Sequence, residues 1–192
     1  MWFFLLLACV GDEADSGEDD APLPTLDPLL DGLSRCEPGA ADGRLDLDAG
    51  CAEGVCMGMS AEEVAGALGT PTCVDLAFDA VCTHGGGITV AYADDDGDAL
   101  PDEGAHAYVL ALTAPWDGGT SGGLACDATM RCFPEQLGTP DVVAWQRTEA
   151  WQPSAMVWNA WFLTVEDRGD AEGGGEADGH PETLTLANAL YR

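Results

Sequence analysis

The stretch from Gly54 to Pro71 reads GVCMGMSAEEVAGALGTP and returns, in altered form, as GLACDATMRCFPEQLGTP from Gly123 to Pro140. The two windows share their length, their first Gly and their final Leu-Gly-Thr-Pro, and Val64 in one corresponds to Phe133 in the other. After each window come, in the same order, apolar runs, an acidic Gly-rich stretch and a run in which apolar and polar residues alternate. Because a duplicated unit sets the architecture of a chain, we predict two tandem repeats.

Each window contains the signals of a short helix. Ser60 and Glu63 form the Ser-x-x-Glu pattern of a capping box, and Gly69 marks the end of that helix. Val64 and Leu68 lie one turn apart, so both are expected to face the core. The second helix is expected to be shorter. It is predicted to start near Pro134, which disfavours a helical conformation of Phe133, and Thr129 offers a cap.

The remaining elements are predicted to be strands and loops. Residues 37–53 and the Gly-rich joint at 114–123 read as loops. The fold class is therefore α+β, with two tandem repeats, each a short helix followed by an antiparallel β-meander. The strands are predicted at 88–93 (ITVAYA), 106–112 (HAYVLAL), 160–166 (AWFLTVE) and 183–190 (TLTLANAL), with a weaker one at 142–145 (VVAW).

The N-terminus has the pattern of a lipoprotein leader. Residues 1–9 (MWFFLLLAC) are apolar, too short to span a bilayer, and end in Leu-Leu-Ala-Cys9, which resembles a bacterial lipobox with Cys9 as the lipidated residue. Residues 10–24 are acidic and lack any apolar period, which is typical of a disordered tether. No Lys or Arg precedes the apolar run, and a start codon upstream of Met1 would explain this. The first repeat, with an N-terminal extension that includes a short helix at 25–35, spans residues 25–116, and the second spans residues 117–192.

The charge of the chain restricts its partners. It carries 35 acidic residues against six basic ones, all of them Arg, for a net charge of −29. Such a field repels phosphate backbones and anionic lipid surfaces, which excludes nucleic acid as a partner and leaves a lipid anchor as the expected membrane contact.

Eight cysteines in a chain with a leader indicate disulfides. If Cys9 is lipidated, seven remain, so at least one has no partner within the chain. The spacing leaves several pairings open. Cys73 with Cys82 would close a hairpin, Cys126 with Cys132 would close a small local loop, and Cys36 could reach either Cys51 or Cys56.

The pattern G-M-S-x-E-E-V-x-x-x-L-G-x-P between Gly58 and Pro71 resembles the SmpA/OmlA-type outer-membrane assembly lipoproteins and the repeats of the β-lactamase inhibitor protein. Residues 129–140 match the same pattern loosely. The resemblance implies helices packed on an antiparallel sheet and a module that binds a protein without catalysis. It names no partner.

A second candidate function comes from the acidic segment Asp94-Asp-Asp-Gly-Asp-Ala-Leu-Pro-Asp-Glu103. Carboxylates at alternate positions with a main-chain carbonyl between them suit a loop that wraps a calcium ion, and the segment resembles thrombospondin type-3 and dockerin repeats. The competing interpretation is a solvated hairpin loop. The candidate ligands are the carboxylates of Asp94, Asp96, Asp98 and Asp102, the carbonyl of Leu100, and Glu103.

The two catalytic-like motifs of the sequence do not lie in the local structure that catalysis needs. The segment His84-Gly-Gly-Gly87 reads as a hairpin turn, and Ser121, within Gly-x-Ser-x-Gly, lies in a linker rather than between a strand and a helix. We therefore expect no enzyme and no cofactor other than calcium. The predicted function is an exported, lipid-anchored protein-binding or envelope-structural module of the bacterial cell envelope, at the outer membrane or secreted. The alternative is a calcium-stabilised extracellular module.

Overall fold

The chain is described by a computed structural model that covers residue 30 and residues 35–147, 151–167 and 179–191. The predicted leader, the acidic tether and most of the helix predicted at 25–35 lie outside these residues. The strands are β1 (Leu45–Asp46), β2 (Cys51–Ala52), β3 (Val55–Cys56), β4 (Thr72–Asp75), β5 (Asp79–His84), β6 (Ile88–Ala93), β7 (Val109–Thr113), β8 (Val142–Arg147), β9 (Trp151–Trp158), β10 (Leu163–Glu166) and β11 (Thr183–Ala187). Two α-helices precede the two halves of the main sheet: α1 (Ala61–Leu68) and α2 (Cys132–Leu137).

The main sheet has eight strands in the order β4-β5-β6-β7-β11-β10-β9-β8, and all its neighbours are antiparallel. Strands β4 to β7 form one meander and β8 to β11 form another, and the last strand of each, β7 and β11, pair at the centre. Strands β1 to β3 make a separate small sheet. This mixture of helix and antiparallel sheet confirms the predicted α+β class.

The first helix begins and ends where the sequence predicts. The N–H of Ser60 donates to Glu63 Oε2 at 2.8 Å, and the N–H of Glu63 donates to Ser60 Oγ at 3.3 Å, which completes the capping box. Such a cap stabilises a helix by about 1 kcal/mol. Gly69 ends the helix with a φ of 86°, a conformation that glycine adopts without strain. Val64 is fully buried, so it anchors the helix to the core.

The second helix departs from its predicted cap. It begins at Cys132, just before Pro134, and Thr129 does not cap it. The hydroxyl of Thr129 instead accepts from the N–H of Glu37 at 3.1 Å and donates to the carbonyl of Arg35 at 3.2 Å. Thr129 therefore joins the N-terminal segment to the second half of the chain.

Several strand boundaries were predicted wrongly. Residues 37–53 were expected to be loop but contain β1 and β2. The strand predicted at 106–112 begins only at Val109, because Ala107 exchanges main-chain hydrogen bonds with Gly58 and Met59 instead of a sheet neighbour. The strand predicted at 160–166 begins at Leu163, since Phe162 has a left-handed φ of 52° after a 3₁₀ turn. The last predicted strand ends at Ala187.

One face of the main sheet carries the hydrophobic core. Side chains alternate along each strand, so Leu110 and Leu112 of β7 point to this face. Val64 of α1, Phe133 of α2 and Val55 of the small sheet are buried in the same cluster. The helices and the small sheet therefore cover a single face of the main sheet.

Candidate functional site

The acidic loop, residues 94–105, joins β6 to β7 and is organised around one buried carboxylate. Asp94 has no exposed surface. Its Oδ1 accepts the N–H groups of Gly97 at 2.8 Å and Asp98 at 3.3 Å, and its Oδ2 accepts the N–H of Ala99 at 2.9 Å. These bonds bend the loop around the carboxylate, so Asp94 holds the loop's shape.

Three of the predicted calcium ligands converge in this loop. One carboxylate oxygen from each of Asp94, Asp96 and Asp102 lies within 4.8 Å of the other two. The N–H of Asp98 lowers the pKa of Asp96, but the Asp98 charge, burial and the Asp94 carboxyl together raise that pKa above its ordinary value. The three oxygens form a candidate cation site, because a divalent ion relieves repulsion between carboxylates.

The carboxylates of Asp98 and Glu103 are not part of this group of three. Asp98 uses its Oδ1 to accept the N–H of Leu100 at 2.9 Å. Asp98 and Glu103 are exposed to solvent, and the side chain of Leu100 is 60% exposed. The structure thus brings together three of the five carboxylates predicted as ligands, and the role of the Leu100 carbonyl stays a prediction.

The turn between β4 and β5 lies against the acidic loop and presents apolar side chains. The N–H of Leu76 donates to the carbonyl of Asp79 at 2.9 Å, which closes a loop with Ala77 and Phe78 at its centre. The N–H of Asp94 donates to the carbonyl of Phe78 at 3.1 Å, so turn and loop are joined. Leu76 is 53% exposed and Phe78 is 59% exposed. This turn places two large apolar groups in solvent beside the carboxylates.

All the exposed large apolar side chains among the described residues lie at this same end of the main sheet. Strands β4, β6, β9 and β11 end here, and β5, β7, β8 and β10 begin here, as their registers show. Clustered exposed apolar surface marks interaction sites in soluble proteins. We call this set the apolar end; it comprises Val74, Leu76, Phe78, Leu100, Val142, Phe162, Leu190 and Tyr191.

Backbone strain is concentrated at the apolar end as well. Of the five described non-glycine residues with positive φ, four lie there: Ala77 (55°), Phe78 (78°), Ala99 (64°) and Phe162 (52°). A bulky residue with positive φ is a conformational outlier, and such outliers cluster where function requires them. Sequence reasoning missed these residues. The signal was Asp75-Leu-Ala-Phe-Asp79, a hairpin turn filled with apolar residues instead of Asn or Gly.

The formal charges that the structure describes at the apolar end are negative. Arg44 lies elsewhere, beside the joint at 114–123, where it donates to Glu53 at 2.9 Å and to Asp117 at 2.7 Å. Arg131 pairs with Glu135 at 2.7 Å on α2. Among the described side chains, none at the apolar end belongs to Arg. The exposed carboxylates there include those of Asp75, Asp95, Asp96, Asp98, Glu103 and Asp141.

The disulfides correct two of the predicted pairings. Cys73 pairs with Cys82 across β4 and β5, as the hairpin prediction proposed. Cys36 reaches neither Cys51 nor Cys56, because β2 and β3 place those two opposite each other and they pair together. The predicted loop closed by Cys126 and Cys132 is also wrong, since Cys132 pairs with Cys36 across 96 residues.

Cys126 remains a thiol. Burial, and to a smaller extent the charge of Asp127, raise the pKa of this thiol to about 12. Its Sγ lies 3.6 Å from the carbonyl oxygen of Leu112. A thiol that stays protonated is a poor nucleophile and a poor metal ligand, so Cys126 is a packing residue.

The histidine of the His84-Gly-Gly-Gly87 motif is also structural. His84 is 5% exposed, and its Nδ1 lies 3.1 Å from the carbonyl oxygen of Gly69 at the end of α1. The three glycines form the turn between β5 and β6, as predicted. Ser121 is exposed in a turn of the joint, and no helix follows it directly. Neither residue therefore has the setting of a hydrolase site.

No protein-family model, curated protein sequence or solved structure matches the chain. Cys9, the predicted lipidation site, lies outside the described residues. Within the described part of the chain, none of the helices is long and apolar enough to cross a membrane. The functional inference therefore rests on the geometry of the apolar end and the acidic loop.

Proposed function

We propose that the chain is a non-enzymatic protein-binding module that contacts its partner with the apolar end. The observation that carries this proposal is the location of every exposed large apolar side chain of the described residues at one end of the main sheet. Leaving Phe78 59% exposed and Phe162 45% exposed forgoes burial that would stabilise the fold. A surface of this kind is explained by a partner that covers it.

Site-specific crosslinking tests this proposal directly. We expect a photoreactive phenylalanine analogue at Phe78 to give a discrete adduct in cells that express the chain. The same analogue at Thr83, an exposed position near the end of β5 that is opposite the apolar end, serves as the control. Equal adduct formation at both positions, or none at Phe78, would remove the proposed surface.

We further propose that the module is exported and held at the membrane by a lipid on Cys9. Three disulfides support an oxidising compartment such as the periplasm or the cell exterior. Replacing Cys9 with Ser should move the protein from the membrane fraction to the soluble fraction. Unchanged partitioning would argue against the anchor.

The two halves of the main sheet are proposed to be tandem repeats. Each half consists of a helix followed by a four-stranded meander, and the last strands of the two halves meet at the centre. An experimental structure should superpose residues 54–112 on residues 123–190 strand for strand. A different correspondence of strands would contradict a duplication.

A calcium-stabilised extracellular module is the second candidate. The convergence of Asp94, Asp96 and Asp102 oxygens within 4.8 Å favours it. A ligand that binds only the native state stabilises it by about 2.7 kcal/mol at about a hundredfold excess over Kd. Calcium at millimolar concentration should therefore raise the melting temperature by several degrees, and more than magnesium does, since magnesium demands stricter octahedral geometry.

Variants of the acidic loop separate a specific site from general screening. Replacing Asp96 and Asp102 with Asn should abolish the difference between calcium and magnesium. Replacing Asp98 with Asn is the matched control, because its Oδ1 can still accept the N–H of Leu100 and it lies outside the group of three. An equal response of the wild-type protein to both ions, or to NaCl of the same ionic strength, would leave the loop as solvated acid.

A further inference from the structure

We infer that the partner of the apolar end is a cationic, amphipathic protein segment, one whose apolar side chains are flanked by Lys or Arg. This inference rests on the proposed protein-binding function and specifies the chemistry of the partner. It follows from two independent features of the same end of the sheet. One is the set of apolar side chains that its turns expose, and the other is the set of exposed carboxylates at that end.

The apolar component comes from aromatic and aliphatic groups on separate turns. Phe78 protrudes from the β4–β5 turn, Leu100 from the acidic loop, and Phe162 from the link between β9 and β10. Aromatic anchors buried at the centre of an interface contribute most of its binding energy. Two aromatic groups and one aliphatic group on different turns fit a partner with several apolar side chains along one face, as an amphipathic helix presents them.

The charge component comes from exposed carboxylates in the acidic loop and at the end of β4. Asp95, Asp98 and Glu103 are exposed in the same loop as Leu100, and Asp75 is exposed next to Leu76. The arginines whose side chains are described lie in other parts of the molecule, and both Arg44 and Arg131 are paired with acids there. Exposed carboxylates beside exposed apolar groups select a partner that carries positive charge beside its own apolar groups.

The same charges argue against other occupants. An anionic bilayer surface is repelled by these carboxylates, and so is a second copy of this chain, which carries a net charge of −29. An acidic or neutral protein segment would gain the apolar contacts but would desolvate the carboxylates without pairing them. A cationic amphipathic segment satisfies both components.

Defined peptides test this inference in the presence of a chelator, so that calcium plays no part. The probe is a fluorescent Lys/Leu peptide of about 18 residues that is amphipathic when helical. A scrambled peptide of the same composition reports the attraction that any cation feels for this chain, and a Glu/Leu peptide tests the sign of the charge. We expect the amphipathic Lys/Leu peptide to bind about tenfold more tightly than the scrambled one, a difference that the apolar contacts supply.

Two pairs of variants assign that affinity to the apolar end. Replacing Phe78 and Leu100 with Ser should reduce binding of the amphipathic peptide to the level of the scrambled one and leave the scrambled one unchanged. Replacing Asp95 with Asn and Glu103 with Gln should weaken binding of the amphipathic peptide. The control replaces Glu37 with Gln and Asp46 with Asn, two exposed acids near Thr129 and Gly119, and should change binding much less.

The outcomes separate this inference from the proposed function. Equal binding of the Lys/Leu and Glu/Leu peptides, or equal effects of the two acid-neutralised variants, would overturn the cationic partner while a crosslink at Phe78 still supported a binding surface. Phe78-dependent binding to neutral phosphatidylcholine vesicles in place of the peptides would overturn it too, and would assign the apolar end to a lipid surface. Absence of any crosslink at Phe78 would count against the binding function itself.

Discussion

At the scale of single residues, the structure separates side chains that shape the molecule from side chains that remain available to a partner. Asp94 and Cys126 are examples of the first kind. The Asp94 carboxylate accepts three loop N–H groups, and burial keeps Cys126 protonated. The sequence identified Asp94 correctly as a loop residue with converging neighbours. It could not reveal Phe78, because a Phe in the apolar run Leu76-Ala77-Phe78 looks like any core residue until its backbone conformation is known.

His84 should make the stability of the protein depend on pH. Burial lowers its pKa below the ordinary value, an effect that the Gly69 carbonyl offsets only in part. The unfolded chain, with a His pKa of about 6.5, then binds more protons than the folded chain as the pH falls below that value. The contribution of a neutral His84 is therefore fully present above about pH 6.5 and is lost as the pH falls through and below it.

Replacing His84 with Asn should flatten this dependence. The Asn side chain can still donate to the Gly69 carbonyl, but it does not titrate. The measurement is the free energy of unfolding by urea at several pH values between about 7 and 5. Thr83→Ser, a non-titrating change at an exposed position next to His84, is the control and should retain the wild-type slope. If both variants keep that slope, His84 does not set the pH dependence.

At the scale of elements, local rules explain the first helix and fail at the β4–β5 hairpin. The capping box of Ser60 and Glu63 fixes where α1 begins, and this was readable because the bonding partners are three residues apart. A two-residue hairpin with positive φ at both central positions calls for Asn-Gly, yet the chain has Ala77 and Phe78 there. Turn chemistry alone therefore did not predict β4 and β5.

Repairing that turn should stabilise the protein and weaken binding at once. Replacing Ala77 with Asn and Phe78 with Gly relieves two positive-φ positions, worth about 1–2 kcal/mol in the free energy of unfolding. The same change removes an apolar anchor, so affinity for the cationic amphipathic probe should fall. Urea unfolding and peptide titration on one preparation measure both effects.

Leu76→Ser is the matched control for the repaired turn. It removes an exposed apolar group from the same turn but leaves Ala77 and Phe78 in place. We expect weaker binding with little change in stability. A repaired turn that is no more stable than the wild type would show that the neighbouring acidic loop, and not the turn sequence, sets this conformation.

At the scale of the whole molecule, the sequence predicted the α+β class but not which distant segments pair. The sequence predicted a helix before strands in each half, and β6 was predicted with its observed bounds, whereas β4, β5 and β9 were not predicted as strands. The pairing of β7 with β11 joins residues 109–113 to residues 183–187, and no local pattern encodes a contact at that separation. The link between Cys36 and Cys132 was missed for the same reason.

That long-range disulfide should contribute more to stability than either short one. Cross-linking restricts the unfolded chain more when the closed loop is longer. The chain-entropy relation gives about 4.7 kcal/mol for a loop the size of the one between Cys36 and Cys132 and about 2.2 kcal/mol for the one between Cys51 and Cys56. The sequence separations are 96 and 5 residues.

Replacing Cys36 and Cys132 with Ala should therefore lower the free energy of unfolding by roughly twice as much as replacing Cys51 and Cys56 with Ala. Urea denaturation of the two double variants measures this, with the slope of the transition checked for equality so that the comparison reflects stability. Equal losses, or a larger loss at Cys51 and Cys56, would mean that the two halves are held together by the β7–β11 pairing and the shared core, and that the N-terminal segment adds little to the fold.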